Sequence, residues 1–291
     1  FSLKKDEDYM VMNGGLVRMS ASKDSLLVSS KSGGISKDLW ILGEDAVPVN
    51  PINTLSYTPF VETSIDKITT MKAENLFWLG RYLSRSISTT RLVLHVIKKI
   101  TNFYRYEVAT SKESKVILQN ALTHMTMTYP GFIDPENKEN LDIFPMAEIT
   151  SVIKHANRAG SLASTVMMLS NANINIKDLL TLESWKLFER MQKEWNDFIL
   201  RKNDSTMRVA SELESFLIYL MAYKELVRES IFKEQGLILY DIGYKIEEGL
   251  LLISKARSIL CLKLDKSIGH DVLEGMLNSI ESFNAYRAHY K

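Results

Sequence analysis

The sequence lacks the features that identify several large classes of protein. Its 291 residues contain one cysteine, Cys261, which excludes an intrachain disulfide framework. The longest apolar run, residues 216–223, is well short of the roughly 18 to 20 residues that a membrane-spanning helix needs. The 36 lysines and arginines nearly balance the 35 aspartates and glutamates, whereas a nucleic-acid-binding protein usually carries a basic excess. We therefore predict a protein with no membrane span and no nucleic-acid partner.

The chain also lacks the short motifs of common catalytic sites. Its five histidines have no metal-ligand spacing, and a single cysteine cannot build a zinc site. There is no Gly-x-Ser-x-Gly elbow and no Walker loop. The apolar neighbours of Cys261 predict a buried thiol in a reducing compartment, which favours a cytoplasmic location. The sequence alone thus predicts no metal and no cofactor for this chain, and it names no substrate.

Residues 1–45 differ in composition from the rest of the chain. Short β-rich runs at 9–22 and 25–42 are interrupted by glycine, asparagine and lysine, which is typical of strands joined by tight turns. A few strands in about 40 residues bury too little apolar area to fold alone. We predict β-hairpins that lie on the helical part or on another chain. The chain opens on Phe1 instead of methionine, which indicates a start within a longer protein.

The remainder of the chain is predicted to be a linker followed by helices. Residues 46–69 contain three prolines and little periodicity, which is typical of an extended linker. From residue 70 to 291, apolar residues recur at helical spacing. The predicted fold class is mainly α, an antiparallel multi-helix bundle with a small N-terminal β-hairpin appendage. The predicted helices include 71–106, 147–170, one capped by Thr181, 205–231, 235–262 and 269–289.

The helix at 71–106 has two different faces. An aliphatic stripe begins with Leu76, Leu79 and Leu83, and on the opposite side lie Glu74, Trp78, Arg81 and Arg85. One interpretation is a solvated face whose charges support each other at i,i+4 spacing. The other is a half-polar surface that meets a second helix or a ligand, because a solvated face seldom displays a tryptophan.

A faint internal repeat relates this helix to the one at 235–262. Placing Gly80 on Gly243 aligns LFWLGRYLSR with LYDIGYKIEE, and the aliphatic stripe is shared. Glycine inside a helix costs roughly 1 kcal/mol relative to alanine. Two glycines at equivalent places therefore predict close helix crossings.

These residues carry a resemblance to a known family. AENLFWLGRYLSR at 73–85 resembles the signature helix of the Alpha-E family, a bacterial all-helical domain of unknown function with a paired Glu-Arg motif. The segments LTLESW at 180–185 and GLILYDIGYKIEE at 236–248 are similar to two further family patterns. The segments VMNGGLVRM at 11–19 and GGISKDLWIL at 33–42 resemble the C-terminal end of a circularly permuted ATP-grasp domain. In bacteria the two domains occur side by side or fused.

The chain departs from the family pattern at both Glu-Arg pairs. The first pair is Ser84-Arg85 here, and the second is Glu247-Glu248. The face around Arg81 and Arg85 is therefore basic, whereas the equivalent face, which also carries Asp241, is acidic. We predict that Arg85, together with Arg81, binds a carboxylate of Glu247 or Glu248 across the bundle, so that each repeat supplies what the other lacks.

The resemblance implies a role in ATP-grasp chemistry, which forms amide or peptide bonds. The intact protein is then an ATP-dependent carboxylate–amine ligase with ATP and magnesium as cofactors, and its ATP-grasp domain lies in cis or in trans. The helical part binds a substrate or partner, and we expect this fragment alone not to catalyse. The phosphate contacts that the resemblance allows fall on Arg18, Gly33, Gly34, Lys37 and Asp38. The alternative is a stand-alone helical binding or assembly module, and a homo-oligomer stays open for both.

Overall fold

The computed structural model divides the chain into two compact units, Phe1–Ile65 and Asp66–Lys291. It describes residues 2–5, 8–11, 14–20, 35–40, 68–106, 109–202, 205–231 and 234–290. The described part is mainly helical, with β-hairpins near the N-terminus, so the predicted fold class is confirmed. Of the predicted linker 46–69, all but the last two residues lie outside the described residues.

The described strands of the first unit form two antiparallel pairs. Strand β1 (Ser2–Lys5) pairs with β2 (Asp8–Val11), and β3 (Gly14–Met19) pairs with β4 (Ile35–Trp40). In the second pair Leu39 lies opposite Gly15, next to Leu16 on β3, so Leu16 and Leu39 point to opposite faces. Both leucines are exposed. This ribbon therefore presents apolar side chains on each of its faces.

The described part of the second unit contains ten α-helices. They are α1 (Thr70–Tyr106), α2 (Ala109–Thr126), α3 (Lys138–Ile143), α4 (Pro145–Lys154), α5 (Leu162–Ile174), α6 (Leu182–Leu200), α7 (Thr206–Ser230), α8 (Glu234–Leu260), α9 (Lys266–Ser279) and α10 (Phe283–His289). Short 3₁₀ turns follow α2 and α5, at Gly131–Ile133 and Lys177–Leu179. Thr181 caps α6 as predicted, because its hydroxyl accepts a hydrogen bond from the Ser184 amide.

Helix α1 lies at the centre of this unit and packs against α2, α5, α7 and α8. Leu76, Leu79 and Leu83 on its aliphatic stripe are fully buried, and Ile87 is nearly so. Burying each such side chain contributes about 1.5 to 3 kcal/mol. The stripe predicted for α1 is thus the centre of the hydrophobic core.

Two predicted helices are each broken into two. The segment predicted as 147–170 is divided between α4 and α5, because Gly160 has a positive φ of 82° and Ser161 then caps α5 through the Ser164 amide. The segment predicted as 269–289 is divided between α9 and α10, where Glu281 has a positive φ of 55°. Neither break has a proline signal in the sequence.

The prediction of a buried thiol is wrong, because Cys261 is exposed. Helix α8 ends at Leu260, so the cysteine lies in the turn that leaves the helix. Its apolar neighbours Leu260 and Leu262 are exposed as well. Apolar residues around a cysteine therefore did not indicate burial at this helix terminus.

Candidate functional site

Two glycines bring α1 and α8 into backbone contact. A Cβ atom on Gly80 would lie 2.2 Å from the carbonyl oxygen of Tyr240, and one on Gly243 would lie 2.0 Å from that of Phe77. A side chain at either place would collide with the other helix, which confirms the predicted close crossing. The contact is reciprocal, because Phe77 and Tyr240 occupy equivalent positions in the repeat.

We expect Gly243→Ala to lower the free energy of unfolding by about 1 to 3 kcal/mol, because the new methyl group overpacks a helix contact whose neighbour is backbone. Gly249→Ala on the same helix is the matched control, since a Cβ atom there would have no neighbour within 4 Å among the described residues. The control should be neutral or stabilising by up to about 1 kcal/mol, which is the difference in helix propensity. Urea unfolding measures both variants. Equal losses would contradict a specific role for the crossing.

Three charged side chains meet on the C-terminal side of the two crossing glycines. Arg81 donates to Glu247 Oε2 through Nε at 2.7 Å and Nη2 at 2.6 Å. Arg85 donates to Glu247 Oε1 through Nε and Nη2, both at 2.6 Å. Each carboxylate oxygen of Glu247 thus accepts two charge-assisted hydrogen bonds from one guanidinium. The predicted pairing across the bundle is confirmed for Arg85 and Arg81 with Glu247.

Burial makes this cluster consequential for stability. The Glu247 side chain is 1% exposed, whereas Arg81 is 20% and Arg85 is 35% exposed. A carboxylate this deep needs partners for its charge, and the two arginines provide them. Two guanidinium groups on one carboxylate leave a charge of plus one within the cluster itself. We call Arg81, Arg85 and Glu247 the Arg–Glu–Arg cluster.

Aromatic rings cover one side of the Arg–Glu–Arg cluster. The Arg81 guanidinium lies 5.2 Å from the centre of the Trp78 ring, at cation–π distance. Trp78 in turn stacks on Tyr82 with ring centres 5.4 Å apart. Burial raises the pKa of Tyr82 against the opposing effect of Arg85 and Arg81. The tryptophan that stood out among the charges therefore shields an arginine and packs against the core.

The equivalent place on the other side of the crossing has no such cluster. There Ser84 replaces a carboxylate and is buried, and Tyr244 stands at the position equivalent to Arg81. Burial, and then Glu248, raises the pKa of Tyr244 to about 12, while a hydrogen bond with Ser84 works in the opposite direction. The single predicted contact between Arg85 and Glu247 thus supplies the partner that each copy lacks, and the equivalent place has a neutral hydroxyl contact instead.

The remaining residues predicted on the polar face lie apart from the cluster. Glu248 is 50% exposed and pairs with Lys245 on its own helix. Asp241 pairs with Arg228 of α7 at 3.3 Å. Glu74 is one turn N-terminal to Trp78 and acts on Tyr82 through its charge. The structure thus brings Arg81, Arg85 and Glu247 together, whereas the carboxylates of Glu248, Asp241 and Glu74 are not part of this cluster.

The candidate phosphate contacts are described only in part. Arg18 and Lys37 lie on adjacent strands, where Arg18 pairs in register with Ser36 and Lys37 pairs with Val17. Arg18 therefore points to the opposite face of the ribbon from Lys37, and Asp38 lies on the Arg18 face. Gly33 and Gly34 are outside the described residues. The ribbon consequently does not gather Arg18 and Lys37 on one surface.

Sequence reasoning missed two buried lysines. Lys255 of α8 is 1% exposed, and its ammonium reaches only the Ser279 carbonyl oxygen, at 3.5 Å, among the hydrogen bonds of the described residues. Burial, and then the charge of Arg91, lowers the pKa of Lys255 to about 8. Burial also lowers the pKa of Lys115, which lies beneath the Phe103 ring. A lysine within an apolar run was the available signal for Lys255, since it interrupts LLLISKARSIL.

This geometry defines a class of protein. It is an all-helical bundle in which a buried Glu–Arg contact joins two repeated helices. The chain belongs to the Alpha-E family, whose model is described as a predicted alpha-helical domain with a conserved ER motif and matches residues 70–291. In this chain the acidic and basic members that meet, Glu247 and Arg85, come from different copies of the repeat.

Relatives with curated sequences extend well beyond the matched region. Uncharacterized proteins of Mycobacterium bovis and Mycobacterium tuberculosis are each 23% identical over 296 residues, which is 99% of this chain and 33% of theirs. The chain thus spans about a third of the length of these relatives. No solved structure matches it.

Membrane spans and metal clusters are both absent from the described part of the chain. No helix there is both long and apolar enough to cross a membrane. Likewise, the described residues include no group of three or more histidine, cysteine, aspartate or glutamate side chains placed to hold a metal ion.

Proposed function

We propose that this chain is the C-terminal, helical part of a bacterial protein associated with ATP-grasp amide- or peptide-ligase chemistry. In this proposal the helical unit binds a substrate or partner and does not catalyse. ATP and magnesium belong to the intact protein, and the ATP-grasp domain acts in cis or in trans. The cytoplasm is the expected location, since ATP-dependent ligation needs cytoplasmic ATP.

The Arg–Glu–Arg cluster is the observation that carries the non-catalytic role. The carboxylate of Glu247 is enclosed and holds two guanidinium groups, so its lone pairs are occupied by contacts that join α1 to α8. A general base needs a carboxylate that can reach a proton on a substrate. Glu247 instead fixes the relation between two long helices, which suits a rigid binding scaffold.

Two observations support a link to a further domain. The β3–β4 ribbon exposes Leu16 and Leu39 on opposite faces, and a two-stranded ribbon of this kind gains stability by joining a larger sheet. The mycobacterial relatives are about three times as long as the matched region, which leaves room for such a sheet. Segments 11–19 and 33–42 resemble an ATP-grasp terminus, so we propose that the larger sheet is that of an ATP-grasp domain.

We expect the purified chain neither to hydrolyse ATP nor to bind it tightly, because phosphoryl-transfer sites need several convergent contacts around a positioned metal. Isothermal titration with ATP and magnesium checks this expectation. A micromolar dissociation constant would contradict it and would make Arg18, Lys37 and Asp38 the first residues to replace.

The ligase association needs a separate test. Reading the gene upstream of the codon for Phe1 shows whether an ATP-grasp reading frame is fused to this chain or lies beside it. If neither the same gene nor its neighbours contain an ATP-grasp reading frame, the proposed ligase association is contradicted.

A stand-alone binding or assembly module is the second candidate, and one observation favours it. Helix α8 exposes Ile242 and Ile246, although the equivalent residues of α1, Leu79 and Leu83, are fully buried. An uncovered aliphatic stripe on a long helix is typical of a surface that meets another protein. Sedimentation of the purified chain tests self-association through this stripe, with Ile246→Lys as the variant that should abolish it.

A further inference from the structure

A cavity of 610 Å³ lies between the C-terminal half of α1 and the N-terminal half of α7. A second cavity of 460 Å³, between α1 and the start of α4, continues from it, and Thr101 and Thr206 line both. Sites for small organic molecules commonly have about 300 to 1,000 Å³. The first cavity alone therefore accommodates a molecule of that size.

Charged side chains of both signs line the larger cavity. Arg91 and Lys98 come from α1, and Glu214 faces them from α7. The Nη2 of Arg91 pairs with Glu281 at 2.6 Å, but its Nε is buried and has no hydrogen-bond partner among the described residues. Because this Nε is enclosed by the protein, a ligand at the cavity wall meets the exposed part of Arg91 and the side chain of Lys98 instead.

His95 lines the same wall and adds no charge to it. Burial, followed by the charges of Lys99 and Lys98, lowers the pKa of His95 to about 4, so the ring is uncharged at neutral pH. Its Nε2 faces Gly275 of α9, where an added Cβ would lie 2.8 Å away, and it has no hydrogen-bond partner within the described part of the chain. The fixed charges at the cavity wall are therefore those of Arg91, Lys98 and Glu214.

The rest of the lining combines apolar side chains with hydroxyl and amide groups, the latter on Thr101, Asn102, Thr206 and Ser211 of the larger cavity. Leu94, Ile97 and Leu217 line the larger cavity, and Phe144 and Met146 line the smaller one. Phe144 is exposed although it is aromatic. A molecule that suits this lining carries an anionic group, a cationic group and an apolar body.

We propose that the α1–α7 cavity binds a small zwitterion with apolar side chains, namely an amino acid or short peptide such as a dipeptide. The carboxylate pairs with the cationic side of the wall formed by Arg91 and Lys98, the ammonium pairs with Glu214, and the side chains pack on Leu94, Ile97 and Leu217. This assignment rests on the substrate-binding role proposed above and gives that role a chemical class. It does not require ATP or a second domain, so it is tested on this chain alone.

A series of dipeptides tests the assignment of groups. Leucyl-leucine is titrated by NMR and calorimetry beside its C-terminal amide, which lacks the carboxylate, its N-acetyl form, which lacks the ammonium, and glycyl-glycine, which lacks the apolar side chains. We expect leucyl-leucine to bind and each altered probe to bind at least about tenfold more weakly, since each loses a charge-assisted bond or its apolar contact. Equal binding of all four probes would overturn the proposal, as would no binding of leucyl-leucine at millimolar concentration.

Matched variants locate the binding. Ala210 lines the cavity, so Ala210→Trp fills it and should abolish binding of leucyl-leucine, and Glu214→Gln should weaken binding of that dipeptide but not of its N-acetyl form. Ile218→Trp is the control, because Ile218 is exposed on the same helix outside the cavity. Circular dichroism and thermal melting check that each variant folds. Binding that survives Ala210→Trp, or is lost equally in Ile218→Trp, would place the peptide elsewhere and overturn the site. A failed ligase association leaves these results unchanged, so the two failures are distinguishable.

Discussion

Replacing Glu247 with glutamine should lower the free energy of unfolding by about 3 to 5 kcal/mol. Glutamine keeps the size of the side chain but removes the charge, so two partly buried guanidinium groups lose their counter-ion. Removing one member of a buried ion pair typically has an effect of this size. Urea or guanidinium unfolding measures the change, and Glu248→Gln is the control because Glu248 is half exposed and forms its ion pair with Lys245 on its own helix. The control should change stability by less than about 0.5 kcal/mol.

A double-mutant cycle separates the contact from general damage to the helix. The single variants Arg85→Ala and Glu247→Ala and their combination give a coupling energy, which we expect to reach about 1 to 3 kcal/mol for residues in one network. Repeating the cycle with Arg85→Ala and Glu248→Ala should give a coupling near zero. Coupling near zero in the first cycle would contradict a stabilising role for the Arg–Glu–Arg cluster.

Replacing Lys255 with methionine should raise the free energy of unfolding by about 3 kcal/mol at pH 7. Burial holds the pKa of Lys255 at about 8, well below the value of an exposed lysine, and a difference of one pKa unit corresponds to about 1.36 kcal/mol. Methionine has a similar shape and needs no counter-ion. Lys245→Met is the control, because Lys245 is on the same helix and exposed, and it should leave stability nearly unchanged.

The gain from Lys255→Met should depend on pH in a defined direction. The folded-state pKa of about 8 lies below the unfolded value of roughly 10.4, so the unfolded chain binds the proton more tightly. The wild type therefore loses stability as the pH falls from about 10.4 to about 8, and below that range the loss is constant. Chemical denaturation of both proteins at pH 7, 9 and 10.5 measures the difference. A difference that does not shrink toward pH 10.5 would show that the Lys255 charge is not its cause.

The central contact was predictable because two patterns in the sequence agree. The repeat places Gly80 and Gly243 at equivalent positions, and each lies against the backbone of the other helix. It also places basic residues on α1 opposite acidic residues on α8. Side chains of opposite charge on two crossing helices attract each other. The choice of Glu247 over Glu248 was not predictable, since neighbouring helix positions differ by 100° and small rotations decide which of them is buried.

Other features depend on tertiary context that the repeat does not carry. Ile242 and Ile246 occupy the positions of Leu79 and Leu83 in the repeat but are exposed, whereas α1 also packs against α5 and α7. The break at Gly160 is set by a contact, since a Cβ there would lie 1.9 Å from the Thr126 carbonyl oxygen. The helix propensities of the residues around Gly160 contain no information about a contact with a residue so distant in the chain. The α1–α7 cavity was also not predictable, because the charged residues of its two walls are separated by more than a hundred residues.

The separation of 162 residues between Arg85 and Glu247 has a consequence for synthesis of the protein. A ribosome adds about 5 to 20 residues per second, so Arg85 emerges roughly 8 to 30 s before its carboxylate has been made. During that interval the faces of α1 that α8 will cover meet solvent or other proteins. The nascent helical unit cannot close its core until α8 has left the ribosome. We therefore expect chains truncated before residue 234 to be retained by chaperones or degraded, whereas chains that include α8 and the helices after it fold.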